Sequence, residues 1–562
     1  MVPDNFLTLL TYKDMFNNKP DKDYLLKVFR KSNYWIIDRL ARINLFLSEN
    51  PRIDFNKLLE LLNDLPDYKK NKIISFIRKK FKENSDFVIF NKIQILKFME
   101  GILIFNEKIE MGELSEKTRP TNNLIDKVVT GCLVINDFII NANTVNKNNK
   151  AVSYKDFIPF LLPSYEYVNK PIPMHFLGRM WYINKNLINK IDKNNVISNL
   201  FKKEKGVKLE EFYLVLFSLI VVLSNEVRRN DFLKNSPYIE LGKVFKKVKI
   251  NLDTVKKVID VISISQEDLH TELLNIYKSE EKFKEKIENY NFLAFKKYPL
   301  IHIKGDKYIC VDLHFLMDKF FSEELWIGGK REELNSIWGK IFEKYLIDFF
   351  LHLEKKSDKK IEVFPNLSVK GNEISDIVVK IGNNILLIES KFSILTAKSK
   401  YNKNWESLKK ELDEKFVFQK GCRQLVKAIN KLYKEHSNNE LKKRGIDVDK
   451  IDKIIPIIVF YDKLFTFTLL KKYFKEHFDT ILTKEVEKEI KRKVSDLKIL
   501  YIDEVENLEI IKNEDDIVEV LLNEVDMLEI EKDYKKFVLE NFMELANFIG
   551  LKLFKREPSV YL

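Results

Sequence analysis

The chain has 562 residues and a net charge of +13, from 97 Lys+Arg against 84 Asp+Glu, with 45% hydrophobic residues. At roughly 100–200 residues per domain this allows two to four domains with cores of their own. The 42 Phe and 22 Tyr exclude a chain that stays disordered, and 15 Gly with 14 Pro exclude collagen-like and Pro/Gly low-complexity architectures.

The basic balance points toward a polyanionic partner. Cys132, Cys310 and Cys422 are too far apart in sequence for a CxxC pair or a zinc cluster of neighbours, which fits a reducing cytoplasm. The first residues, with Asp4 and no uninterrupted apolar core, do not read as a secretory signal. The most apolar stretch, Phe212–Leu223, has 12 residues. A membrane span needs about 20, so a buried helix and no membrane contact are expected.

Residues 1–290 read as a helical region for sensing, docking or nucleic-acid binding, with a subdomain break near 150 in the polar run Asn141–Lys150. Apolar residues at three- and four-residue spacing place helices over Tyr24–Leu47, Phe55–Leu62, Ile73–Phe81 and Ile93–Ile104. A second helical block follows 151, with a loop expected at Pro163. A protein partner or a second copy of the chain would dock through this half.

The pattern changes near 291. Tyr298–Ile303 and Tyr308–Val311 flank Gly305-Asp306 as a hairpin, and a helix is expected over Leu334–Leu353. Strand-like runs follow at Ile361–Phe364, Ile374–Ile381, Asn384–Glu389 and Ile454–Phe460, with a long polar and helical stretch, 393–440, before the last. Interleaved strands and helices predict a mixed α/β domain over 291–510, followed by an acidic helical segment, 511–562, packed on it.

The chemistry concentrates in Ser375–Lys391. A turn at Gly382-Asn383-Asn384 folds two strands back on each other and brings Asp376 close to Glu389. Adjacent carboxylates repel unless a cation lies between them, and hard oxygen donors suit Mg²⁺ or Mn²⁺. Lys391, two residues beyond Glu389, points to the same strand face. The competing reading of these residues is a pair of solvated strand-end acids with an edge lysine.

The set Asp376 with Glu389-Ser390-Lys391 resembles the PD-(D/E)xK nuclease superfamily, over about residues 295–510. The resemblance implies a restriction-endonuclease-like α/β fold after the helical N-terminal region. It implies metal held by Asp376 and Glu389, with the Ser390 carbonyl as a further ligand and Lys391 activating water. Glu343, among the apolar residues of the preceding helix, is the expected additional carboxylate. On a helix after the strands, Gln419, Lys420, Arg423 and Gln424 would lie over the site. Where the motif has proline, this chain has Ser375.

Residues 391–446 hold 15 Lys+Arg against 6 Asp+Glu, while 501–540 hold 14 acids against 4 Lys. Phosphates would be drawn to the first region, through Lys398, Lys400, Lys420 and Arg423. The expected function is metal-dependent endonucleolytic hydrolysis of DNA, with RNA left open, in bacterial restriction or anti-phage defence. The alternative is a catalytically silent nucleic-acid-binding or partner-binding module of the same fold.

Overall fold

The computed structural model describes residues 8–30, 32, 34–49, 62, 65–82, 87–88, 90–107, 122–141, 153–168, 173–229, 232–233, 239–247, 250–287, 290–320, 331–357, 360–434, 439–511, 514–523 and 536–548. It separates into two compact units, one of 1–151 with 200–327 and one of 152–199 with 328–562. The division falls elsewhere than the change of pattern at 290. The hairpin Leu300–Lys304/Lys307–Cys310 belongs to the first unit, because its outer edges pair with Ile239–Glu240 and Ser263–Ser265 in a four-stranded sheet.

In the first unit the expected helix over Tyr24–Leu47 is two, Lys22–Arg30 and Tyr34–Glu49. Those over Ile73–Phe81 and Ile93–Ile104 lie within Asp67–Lys82 and Lys92–Phe105. The stretch Phe55–Leu62 falls outside the described residues apart from Leu62. Helix Leu209–Val227 carries the apolar stretch and buries it, and among the described residues no helix is long and apolar enough to cross a membrane.

The second unit carries the α/β architecture. Its first helices are α1 (Tyr154–Val168) and α2 (Pro173–Tyr182). A long helix, α3 (Arg331–Lys356), precedes three strands, β1 (Ile361–Val369), β2 (Asn372–Ile381) and β3 (Asn384–Lys391). Then come α4 (Cys422–Lys434), β4 (Lys453–Phe460), α5 (Thr468–Glu485), β5 (Lys498–Tyr501), α6 (Ile502–Glu506) and α7 (Lys536–Phe548). The acidic stretch 501–540 lies on the end of β5, α6, a helical turn Asn507–Ile510, a short helix Glu514–Leu522 and the start of α7, with 512–513 and 524–535 outside the described residues.

The loop expected at Pro163 is instead helix. α1 runs through both Pro159 and Pro163, because Ile158 and Leu162 are fully buried in the core of this unit. That burial outweighs the ladder bonds which proline cannot donate.

The sheet order is β5-β4-β3-β2-β1, antiparallel from β1 to β3 and parallel from β3 to β5. Local sequence explains the hairpins. Lys370 and Gly371 both have positive φ (50° and 80°), the two-residue turn that suits twisted strands, and Gly382 (φ 58°) opens the next. β3 and β4 read as continuous apolar runs because both are interior strands with both faces covered.

One face of the sheet, with Ile374, Val378, Ile385 and Leu387, shares a core with Leu425, Val426 and Ile429 of α4 and with Phe474 of α5. α3 packs against β1 and β3. Its Trp338 and Phe342 meet Phe392, the residue after β3, at ring-centroid distances of 5.9 and 6.1 Å.

Candidate active site

The β2–β3 ladder ends at Ile377 opposite Ile388. In register, the next pair is Asp376 and Glu389, but here side chains replace the backbone bonds. Ser375 Oγ donates to Ile388 O (2.8 Å), and Ser390 N and Oγ both donate to Asp376 Oδ2 (2.8 and 2.9 Å). Ser375 thus supplies from its side chain a bond between β2 and β3 just past the end of their ladder.

Side chains two residues apart share a strand face. Glu389 and Lys391 therefore lie on the face of Leu387, while Asp376 Oδ2 is held by the backbone and side chain of Ser390, the residue between them. Asp376 lies in mid-strand rather than at the head of β2. The structure brings Lys391 Nζ to 3.0 Å from Glu389 Oε2, and Asp376 near enough for its charge to act on Glu389.

Glu389 is only 2% exposed. Burial pushes its carboxyl up to about 7, helped by the negative charges of Asp376 and Glu373 and opposed by the Lys391 ammonium. Glu343, half-buried on α3, is also pushed up to about 7, first by burial and then by Asp376 and Glu373. Asn366 and Lys391 pull in the opposite direction. The field of Asp376 thus reaches both Glu343 and Glu389.

Two contributors escape sequence reading. Glu373 adds a further negative charge from the exposed end of β2. Asn366, opposite Asp376 on β1, sets one end of its amide against two acceptors, Glu343 Oε1 (2.9 Å) and Asp376 O (3.0 Å), which assigns the nitrogen to that end. No motif marks either residue. A signal of a sort lies in Pro365-Asn366, a turn-type pair inside an apolar strand.

The flanking polar residues divide. Gln419, Lys420 and Lys398 are exposed. Arg423 faces Glu485 at 3.3 Å, and Gln424 Oε1 accepts from Gly421 N (2.9 Å), bracing the start of α4. Lys400 is not on the surface. It is 7% exposed, with Glu166 of α1 at 3.2 Å and Asp462 at 3.6 Å, so its charge is matched inside the unit.

Among the described residues no three His, Cys, Asp or Glu side chains are gathered closely enough to enclose a metal ion. What fits a hard cation is the donor chemistry. Asp376, Glu389 and Glu343 are oxygen donors, and each has one carboxylate oxygen that makes no hydrogen bond among the described residues. The Lys391 ammonium is the positive charge that faces them.

The chain matches no family model, no curated protein and no solved structure.

Proposed function

We propose that the second unit is a Mg²⁺- or Mn²⁺-dependent nuclease of the PD-(D/E)xK kind with a restriction-endonuclease-like fold, acting on DNA as an endonuclease. The observation that carries this reading is the proximity of Asp376, Glu389 and Lys391 where β2 and β3 part. The element order helix α3, three antiparallel strands, helix α4 and parallel strand β4 supports it.

Asp376, Glu389 and the Ser390 carbonyl would hold the ion, with Glu343 reaching in from α3. A divalent ion there supplies an activated water and a counter-charge for the phosphate. Lys391, a donor beside Glu389, orients the attacking water. Oxygen of that water bonds to phosphorus as the bond to the leaving oxygen breaks. The exposed Lys398 and Lys420 attract the phosphate backbone. A place in restriction or anti-phage defence follows by fold-level analogy alone.

Plasmid DNA incubated with the protein and Mg²⁺ or Mn²⁺ is expected to be cut, and Asp376→Ala and Lys391→Ala to cut at least about 100-fold more slowly. RNA run in parallel assigns the substrate. Equal cutting by wild type and both variants overturns the assignment.

One observation favours a second reading, a silent nucleic-acid-binding module. Lys391 is already paired with Glu389 and Ser390 with Asp376, so these groups are partly engaged without a cation. Salt-sensitive DNA binding without metal-dependent cleavage of any DNA or RNA would select it.

A further inference from the structure

Strands β3 and β4 run parallel and end together, with Phe460 beside Lys391. Continuing that register sets Tyr461 beside Phe392, and Tyr461 N donates to Lys391 O (3.2 Å). Alternation along the strand turns Phe392 to the side opposite Lys391, toward α3. The ring contacts agree. Trp338 of α3 stacks on Phe392 with 18° between the planes, Phe392 and Tyr461 have centroids 4.9 Å apart, and Phe342 meets Tyr461 edge-on at 5.6 Å.

Four aromatic rings therefore gather where the two strands end, beginning one residue past Lys391. They differ in burial. Trp338 and Phe342 are 4% and 2% exposed and form the floor, whereas Phe392 and Tyr461 are half-buried and reach solvent. Rings already fixed from below lose little conformational freedom when a flat partner settles on them. Ligand sites of α/β sheets gather outside the carboxyl ends of parallel strands, which is where these rings stand.

We propose that Phe392 and Tyr461 form a stacking shelf for one unpaired base of a nucleic-acid strand, so that this site takes single-stranded or locally unpaired substrate. The proposal rests on the nucleic-acid reading of the site and not on a bound metal. A strand crossing the ends of β3 and β4 sets a phosphate on the Lys391 side and the adjoining base on the Phe392 side. In a duplex the faces of each base are covered by its neighbours, so only a base outside the stack can lie on the shelf. Every base has a π-face, so the shelf selects unpaired structure and not sequence.

The test is binding by the full chain in EDTA and again with Ca²⁺, with a short DNA single strand and its duplex compared by fluorescence anisotropy. The single strand carries 2-aminopurine at each position in turn, whose emission falls when it stacks. Wild type is expected to bind the single strand more tightly than the duplex and to quench the position that reaches the shelf. Phe392→Leu and Tyr461→Leu keep an apolar side chain but no ring. Each is expected to weaken single-strand binding about tenfold and to restore the emission, with duplex binding unchanged.

Unchanged single-strand affinity in either variant, or equal losses for single strand and duplex, overturns the shelf. Where a leucine variant fails to fold, the wild-type chain decides, and 2-aminopurine that stays bright at every position overturns it. A wild-type chain that binds duplex but no single strand overturns this inference alone. One that binds neither overturns the nucleic-acid reading, and this inference with it.

Discussion

Glu389 is the most deeply buried of the site's carboxylates. Its carboxyl titrates near 7 in the fold, against about 4.5 in an unfolded chain. Between those values the folded state binds the extra proton, so stability is complete below about pH 4.5 and falls as pH rises through 7. The effect is roughly 3 kcal/mol for a group this buried. In metal-free buffer, Glu389→Gln is therefore expected to match wild type near pH 4.5 and to exceed it by that amount at pH 8 in chemical denaturation. A difference that does not change with pH would show that Glu389 ionises without cost. Glu389 and Lys391 were legible as neighbours because strand parity is local: two-residue spacing sets the face whatever packs on it. Asn366 and Glu373 were not, because nothing local announces the register shift that brings one opposite Asp376 or the through-space field of the other.

Among elements, α2 binds the second unit together through a buried charge. Arg179, 1% exposed, donates to Glu506 from Nε (2.7 Å) and from a terminal nitrogen (2.9 Å), and also pairs with Asp503. Tyr345 of α3 donates to the same Glu506 carboxylate at 2.7 Å. Arg179→Ala leaves two acids buried without their counter-charge and is expected to cost about 3–5 kcal/mol in denaturant unfolding. One residue earlier, a Cβ on Gly178 would lie 2.1 Å from Val538 O, so α7 can approach α2 only because that position is glycine. Gly178→Ala is expected to cost about 1–3 kcal/mol by forcing α7 outward, and an unchanged melting curve would refute that contact. The strands β1 to β4 were readable from apolar runs and turn residues. β5, four residues long, was not, because so short a segment acquires its strand character from pairing with β4. The continuity of α1 through Pro163 was hidden for a related reason: proline marks a local break, and the burial that overrides it comes from residues far away in sequence.

At the scale of the whole molecule, the second unit is built from two separate stretches of chain, 152–199 and 328–562. Glu166 on the first stretch neutralises Lys400 on the second, and Tyr401 donates to the same carboxylate at 2.7 Å. A fragment 291–562 lacks both Glu166 and Arg179, and it is expected to lose cooperative thermal unfolding by circular dichroism. A cooperative melt of that fragment would show that 152–199 is dispensable to it. The sequence by itself determined the mixed α/β character of the C-terminal half, the hairpin turns and the face shared by Glu389 and Lys391. These follow from apolar periodicity and glycine backbone freedom, which act over a few residues. Only the tertiary structure decided where the units divide, that Lys400 is buried and paired, that β2 and β3 part at the carboxylates, and that Asn366 links Glu343 to Asp376. Each of these depends on which distant segments meet, and that is decided by the burial of apolar surface and the pairing of buried charge over the whole unit.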